Sequence, residues 1–232
     1  MIKVRKNNER GVSEISWLKS FHTFSFNQYH DPAHVNFRHL RVLNDDYIAP
    51  KGGFGTHPHN DMEIITFIHT GSLEHKDSLG NGSVIRKGEI QRMTAGNGIM
   101  HSEFNPSDTE EVHLYQIWIF PNQKGLEPSY NQVVFDYAKA ENALLLLASN
   151  EKTDETVKIN QDVSLYLSVL KPHIKLEYII EERRHIWVQV ISGELEMNGL
   201  SVATGDGVAL SNESQLTIKS QSDSEILLFD LC

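Results

Sequence analysis

Cysteine is almost missing from this chain. The single thiol, Cys232, is the last of 232 residues, so no internal disulfide can form and nothing asks for an oxidising compartment. The opening residues, MIKVRKNNERGVSEISW, carry no apolar core of the kind a signal peptide needs. The longest aliphatic run, residues 143–148 (ALLLLA), stops far short of the ~20 residues that span a bilayer. Basic charge is in deficit: 21 Lys and Arg stand against 31 Asp and Glu, a net charge of -10. That balance opposes direct contact with a nucleic acid and leaves a protein partner open. Long helical periodicity is also lacking. These absences predict a cytoplasmic, soluble protein with no membrane span and no direct nucleic-acid binding.

What fills the chain is strand. Residues 38–43 (RHLRVL), 63–69 (EIITFIH), 112–120 (VHLYQIWIF), 165–170 (LYLSVL), 186–191 (IWVQVI) and 225–231 (EILLFDL) are short and rich in β-branched and aromatic residues. Turn signals such as Gly80-Asn81-Gly82, Asn97-Gly98 and Asn198-Gly199 separate them. One short helix is expected within residues 131–143. The predicted class is all-β, sandwich or barrel.

The two halves also echo each other. A hydrophobic strand runs into Gly71 or Gly193, then Leu73-Glu74 or Leu195-Glu196, then an Asn-Gly turn and a Gly-acid pair, Gly88-Glu89 or Gly205-Asp206. The order and spacing point to duplication, hence two tandem β-barrels. The cluster PNQKGLEPSY near residues 121–130 marks the division. The expected domains are 1–125, with the metal site described next, and 126–232, without one.

His57-Pro58-His59 is the first chemical signal. On an extended backbone, residues i and i+2 share a face, ~6–7 Å apart, so both imidazoles can reach one ion. Two ligands do not hold a metal, and a polar loop explains the pair equally well. Downstream, His101 and Glu103 repeat the spacing. Three imidazoles and a carboxylate suit a borderline divalent metal such as Fe, Mn, Ni, Cu, Co or Zn. On an octahedral ion such a set leaves positions open for substrate. Glu63 lies four residues from His59, an even strand count, so it too has a claim to the same face. His173 and His185, the two histidines of the second half, form no such pair.

The order Gly52 or Gly53, His57, His59, Glu63, then Gly88, Gly96, His101 and Asn105 resembles the two motifs of the cupin family. Four residues separate Gly96 from His101 where the usual cupin pattern has two. That departure, together with WLKSFHTFSFNQYHDP, RVLNDD, GFGTHPHNDMEIITFI, AGNGIMHSEFNPS and HLYQIWI, is similar to the pirin family, and within it to the bacterial proteins that act as quercetin 2,3-dioxygenases. The likeness runs over nearly the whole chain. It implies a bicupin whose first barrel binds one divalent metal through His57, His59, His101 and Glu103. Glu63 is then left as a partner for a ligand imidazole. The resemblance also implies a reaction with a small aromatic substrate and O2. The flavonol is deprotonated, with Glu103 as the natural base, and the ring opens with release of carbon monoxide and a depside. Phe24, Phe54 and Met62 are candidates for an apolar lining. His22 is a candidate neighbour of the site, while His69, His75 and His113 read as ordinary strand histidines. Two other readings stand beside this one: a metal-binding regulatory pirin acting through a protein partner, and a cupin enzyme with another substrate.

Overall fold

The structure is a computed structural model describing residues 1–151 and 153–232. It is almost entirely antiparallel strand, in two compact units. One unit comprises Gly11–Phe135 and Asn150–Gln161; the other comprises Met1–Arg10, Asp136–Ser149 and Asp162–Cys232. Compactness therefore divides the chain differently from the linear 1–125 and 126–232. Among the described residues, no helix is long and apolar enough to cross a membrane.

In the first unit the large sheet has the order Ser129–Val134, Glu89–Thr94, Glu63–Thr70, Val112–Ile119, Leu40–Ile48, Leu18–His22, Gly11–Ile15. A smaller sheet has the order Gly53–His59, Ile99–Phe104, Ser72–Asp77, Gly82–Arg86. Strands of the large sheet bury apolar side chains such as Leu43, Ile65, Phe67 and Ile117 completely. Such residues fit the pleated, half-buried surface of a sheet.

The second unit repeats the plan. Its large sheet places Gly207–Ser211, His185–Ser192, Ser224–Leu231 and Val163–Leu170 side by side in that order. Its small sheet is Lys175–Ile179, Gln215–Ser220, Glu194–Met197, Leu200–Ala203. Eight successive strands from Leu40 to Ile119 thus match eight from Val163 to Leu231 in order and pairing. The duplication expected from the glycine and Asn-Gly pattern is present.

Each predicted strand forms, with ends moved by at most five residues. The largest extension carries the strand expected at 38–43 through Asn44, Asp45 and Asp46 to Ile48. Those polar residues look like a turn by local preference, yet they pair with Gln116, Tyr115 and Leu114 in mid-sheet. The helix expected within 131–143 is not formed as such. Residues Ser129–Val134 are a strand paired with Glu89–Thr94, where Val133 and Val134 suit a ladder. A single 3-10 turn at Tyr137–Ala140 follows, its first turn capped by the Asp136 side chain accepting from the Ala138 N–H.

Candidate metal centre

The strands Gly53–His59 and Ile99–Phe104 carry the site. They are antiparallel partners with His101 directly opposite His57. The i, i+2 spacing aligns His57 with His59 and His101 with Glu103, and the opposed register puts both pairs on the same face of the sheet. The register then slips, with Glu103 opposite Phe54. This β-bulge inserts an extra residue in the Gly53–His59 strand. It reverses the alternation beyond His57, so that Phe54, an odd number of residues from His57, faces the same cavity as the imidazoles. Gly53 makes the close pairing feasible: a Cβ there would lie 2.3 Å from the Glu103 carbonyl oxygen.

The Nε2 atom of His101 lies 3.0 Å from Nε2 of His57 and 3.0 Å from Nε2 of His59. The Nδ1–H of His57 donates to the Gly55 carbonyl at 2.8 Å, which leaves its Nε2 as a lone pair in the neutral ring. Burial, reinforced by the neighbouring imidazoles, pushes His59 down to about 4 and His101 down to about 3. His59 and His101 are therefore neutral at pH 7, and with the His57 hydrogen on Nδ1 the Nε2 lone pairs point toward one another. That arrangement repels unless a cation lies between them. Metal–nitrogen bonds of ~2.1 Å at right angles would set neighbouring donors ~3.0 Å apart, which matches. Glu103 Oε2 is 4.0 Å from His101 Nε2. The Glu103 carboxyl is buried, and burial raises its pKa, against the pull of the nearby imidazoles and a hydrogen bond from Gln116. The Gln116 amide donates to both carboxyl oxygens, at 3.1 and 3.2 Å. His57, His59 and His101 converge closely enough to share one ion, and Glu103 lies beside His101 in a second group with His75; a donor set of this kind suits a single divalent transition metal.

A cavity of about 240 Å³ opens beside these groups. Phe26, Phe54, Ile64 and Trp118 supply apolar lining; Ser13, Ser20, His22, Asn44, Asp46 and Gln116 supply polar lining. The polar groups are wired together. His22 Nδ1 bonds Asn44 Oδ1 at 2.9 Å, its Nε2 lies 2.8 Å from Ser13 Oγ, and Ser20 donates to Asp46. Burial pushes the Asp46 carboxyl up; the Ser20 hydrogen bond opposes this, and the neighbouring Asp45 and Glu103 charges add to it, leaving the value at about 7.

All four residues expected as metal donors are brought together. Glu63 is not with them. Ile64 faces the cavity, so strand alternation turns Glu63 to the opposite face. There it is fully buried and accepts from Thr94 Oγ1 and from the backbone N–H and side-chain amide of Asn160, each at 3.2 Å. Its part is to tie the 150–161 segment to the barrel rather than to orient an imidazole. Of the apolar candidates, Phe54 lines the cavity, whereas Met62 packs on Ile64, Met93, Ala95 and Ile99 and Phe24 is core. Phe26 and Trp118 take their place; both sit in FHTFSF and HLYQIWI, segments that were legible as motifs but not as lining. His22 does line the cavity. His75, read as an ordinary strand histidine, proves to be fully buried within 3.4 Å of His101.

Among the described residues, the second barrel shows no comparable cluster of metal-ligating side chains. The strands in the places of Gly53–His59 and Ile99–Phe104 are Lys175–Ile179 and Gln215–Ser220. They turn Leu176, Leu216 and Ile218 into an aliphatic core with Val188, Leu195, Met197 and Ile226. Side chains fill the space that the cavity occupies in the first.

Two such barrels in tandem, one bearing an inward-facing 3-His-1-Glu set, define a bicupin metalloprotein. The Pirin family model matches residues 3–119, and a model described as the quercetinase C-terminal cupin domain matches residues 146–231. The chain is 48% identical to the quercetin 2,3-dioxygenase of Escherichia coli (strain K12), over 100% of this chain and 99% of that protein. It is 46% identical to a putative quercetin 2,3-dioxygenase of Pasteurella multocida (strain Pm70), over the full length of both. Among solved structures, the bacterial pirin YhhW from Escherichia coli in complex with nickel(II) superposes with a TM-score of 0.95 at 46% identity, covering 100% of this chain and 99% of that one. The chain belongs to the pirin family.

Proposed function

We propose that the protein is a cytoplasmic, metal-dependent dioxygenase that opens the flavonol ring of quercetin-like substrates with O2, releasing carbon monoxide. In this reading His57, His59, His101 and Glu103 hold one divalent metal. The observation that carries it is the convergence of three imidazole nitrogens, His101 Nε2 lying 3.0 Å from those of His57 and His59, at a cavity with apolar walls and a buried carboxyl. The names of the relatives and the nickel(II) complex of YhhW support it. A bound divalent ion would supply Lewis acidity, lowering the pKa of a flavonol hydroxyl and leaving positions open for substrate and O2.

The chain's own residues do the rest. Glu103, held beside the ion, accepts the hydroxyl proton. The Gln116 amide keeps both Glu103 oxygens pointed inward. Phe26, Phe54, Ile64 and Trp118 fit the faces of a flat aromatic molecule and exclude water, while Ser13, Ser20 and Asp46 offer hydrogen bonds to its peripheral hydroxyls.

The test is aerobic loss of the flavonol absorbance band by metal-stripped protein reloaded with Fe(II), Mn(II), Ni(II), Cu(II), Co(II) or Zn(II). Turnover with carbon monoxide release in one metal form, absent in His57→Ala and His101→Ala, is the expected result. No turnover by any fully loaded form would overturn the assignment. Glu103→Gln is expected to retain metal and lose at least ~100-fold in turnover; metal retention with normal turnover would remove Glu103 as the base.

A further inference from the structure

His75 belongs to none of the motifs, yet it is the imidazole most deeply buried beside the centre, at 0% exposure against 2% for His101. Its ring packs at 5.2 Å from that of His101 and at 4.9 Å from that of Tyr130. Its Nδ1 lies 3.4 Å from His101 Nδ1, and its Nε2 lies 3.2 Å from Asp77 Oδ2. The i, i+2 placement on the strand Ser72–Asp77 puts His75 and Asp77 on the same face.

Proton placement along this chain follows from Asp77. An ionised carboxylate only accepts, so His75 Nε2 carries the hydrogen. With that single hydrogen on the ring, Nδ1 is bare. That atom accepts from the Nδ1–H of His101, and His101 is left with a bare Nε2. This is the nitrogen that lies 3.0 Å from both His57 and His59. Asp77 is itself held in place. The backbone N–H groups of Leu79 and Asn81 and the Asn81 side chain donate to it at 2.9 to 3.1 Å. Burial acts to raise its pKa, but the hydrogen bonds from Asn81, His75 and Leu79 outweigh it and hold the carboxyl below the ordinary range.

We propose that Asp77 and His75 form a positioning relay that holds His101 in the tautomer whose Nε2 faces the metal centre, and that this relay sets the affinity of the site for its metal. The inference rests on the reading of His57, His59, His101 and Glu103 as ligands. His75 does not ligate; it orients the residue that does. Partners at this remove from an ion change affinity by ~10–100-fold.

The test uses the full chain, stripped of metal. The Ni(II) dissociation constant is measured by competition with a chromophoric chelator, and the thermal midpoint of the metal-free protein is recorded in parallel. His75→Phe fills the same space without a ring nitrogen. Asp77→Asn keeps an acceptor oxygen on the turn and removes its charge. Ni(II) affinity is expected to fall ~10–100-fold in His75→Phe and by less, in the same direction, in Asp77→Asn. The metal-free midpoints should stay within a few degrees. Long-range 1H–15N spectra of the metal-free wild type should show His101 protonated at Nδ1, with that preference weakened in both variants. Unchanged affinity, or a fall in midpoint with unchanged affinity of the folded fraction, would overturn the relay. So would a zinc-loaded spectrum showing a His75 nitrogen bound to metal. Wild type that binds Ni(II) but turns over no flavonol in any metal-loaded form would sink the proposed activity and leave the relay standing. Failure of the wild type to bind Ni(II) or any other of the six divalent ions would overturn both.

Discussion

Single residues in the first barrel differ in role by which side of a strand they occupy. Glu63 and Glu103 are both buried carboxyls whose pKa burial raises, but one binds Thr94 and Asn160 and the other faces three imidazoles. Asp46 makes a third case. A carboxyl held at about 7 in the folded protein keeps its proton over a range where the unfolded chain, near 3.8, has lost it. The native state then binds more protons, so this group's contribution falls as pH rises from about 4 to about 7 and is level above. The slope is at most ~1.4 kcal/mol per pH unit. Urea unfolding of metal-free wild type and Asp46→Asn at several pH values checks it: the variant should gain stability relative to wild type across that window. A constant difference between the two would show that Asp46 does not hold its proton. Gln116 offers a second check. Gln116→Leu leaves Glu103 without its two amide contacts and is expected to cut flavonol turnover ~10-fold or more while sparing the fold, read as kcat beside the thermal midpoint.

At the scale of elements, the site depends on one strand pair and its irregularity. The bulge between His101 and Glu103 brings Phe54 onto the cavity side; a regular ladder would have turned it out. Gly53 closes the same pair from its end, where a side chain would collide with the backbone of Glu103 and Phe104 at 2.3 to 2.6 Å. Gly53→Ala is therefore expected to cost ~2 kcal/mol or more in urea unfolding. It should also weaken Ni(II) binding, because the displaced strand carries Glu103. Normal stability would mean that the pair spreads at little cost. The strand Leu40–Ile48 shows how function overrides preference: Asn44 and Asp46 are poor strand residues, held in mid-sheet because their side chains line the cavity.

For the whole molecule, the duplication explains where the chain's first residues go. Ser129–Val134 lies beside Glu89–Thr94 at the edge of one large sheet. In the other unit, Ile2–Arg5 lies beside Gly207–Ser211, the strand equivalent to Glu89–Thr94. The same edge position is filled from opposite directions along the chain. Removing residues 1–5 would expose the backbone groups of Gly207–Ser211. The expected outcome is a lower thermal midpoint with Ni(II) affinity within about twofold of wild type, since the centre lies in the other unit; a large loss of metal affinity would contradict this.

The sequence by itself determined the class and the candidate donors. Alternating β-branched strands, Asn-Gly turns and a repeated order of glycines made the tandem barrels legible, because side-chain period and turn chemistry are local properties. His57, His59, His101 and Glu103 were legible because i, i+2 spacing is enough to place two side chains on one face, and the pirin-like motifs singled out Glu103. Tertiary structure decided the rest. Glu63 has the right even spacing from His59, yet Asn60, Asp61 and Met62 leave the strand between them, so counting alternation across the break misplaces it. His75, Asp77, Asn44, Asp46, Gln116 and Trp118 come from strands far apart in the chain and meet only when the two sheets close on each other. The fate of the second barrel was half visible: its missing histidine pairs could be read directly, but that Leu176, Leu216 and Ile218 pack the vacated interior follows from which strand faces turn inward. Local spacing says which side chains share a face; only closure of the barrel says what that face meets.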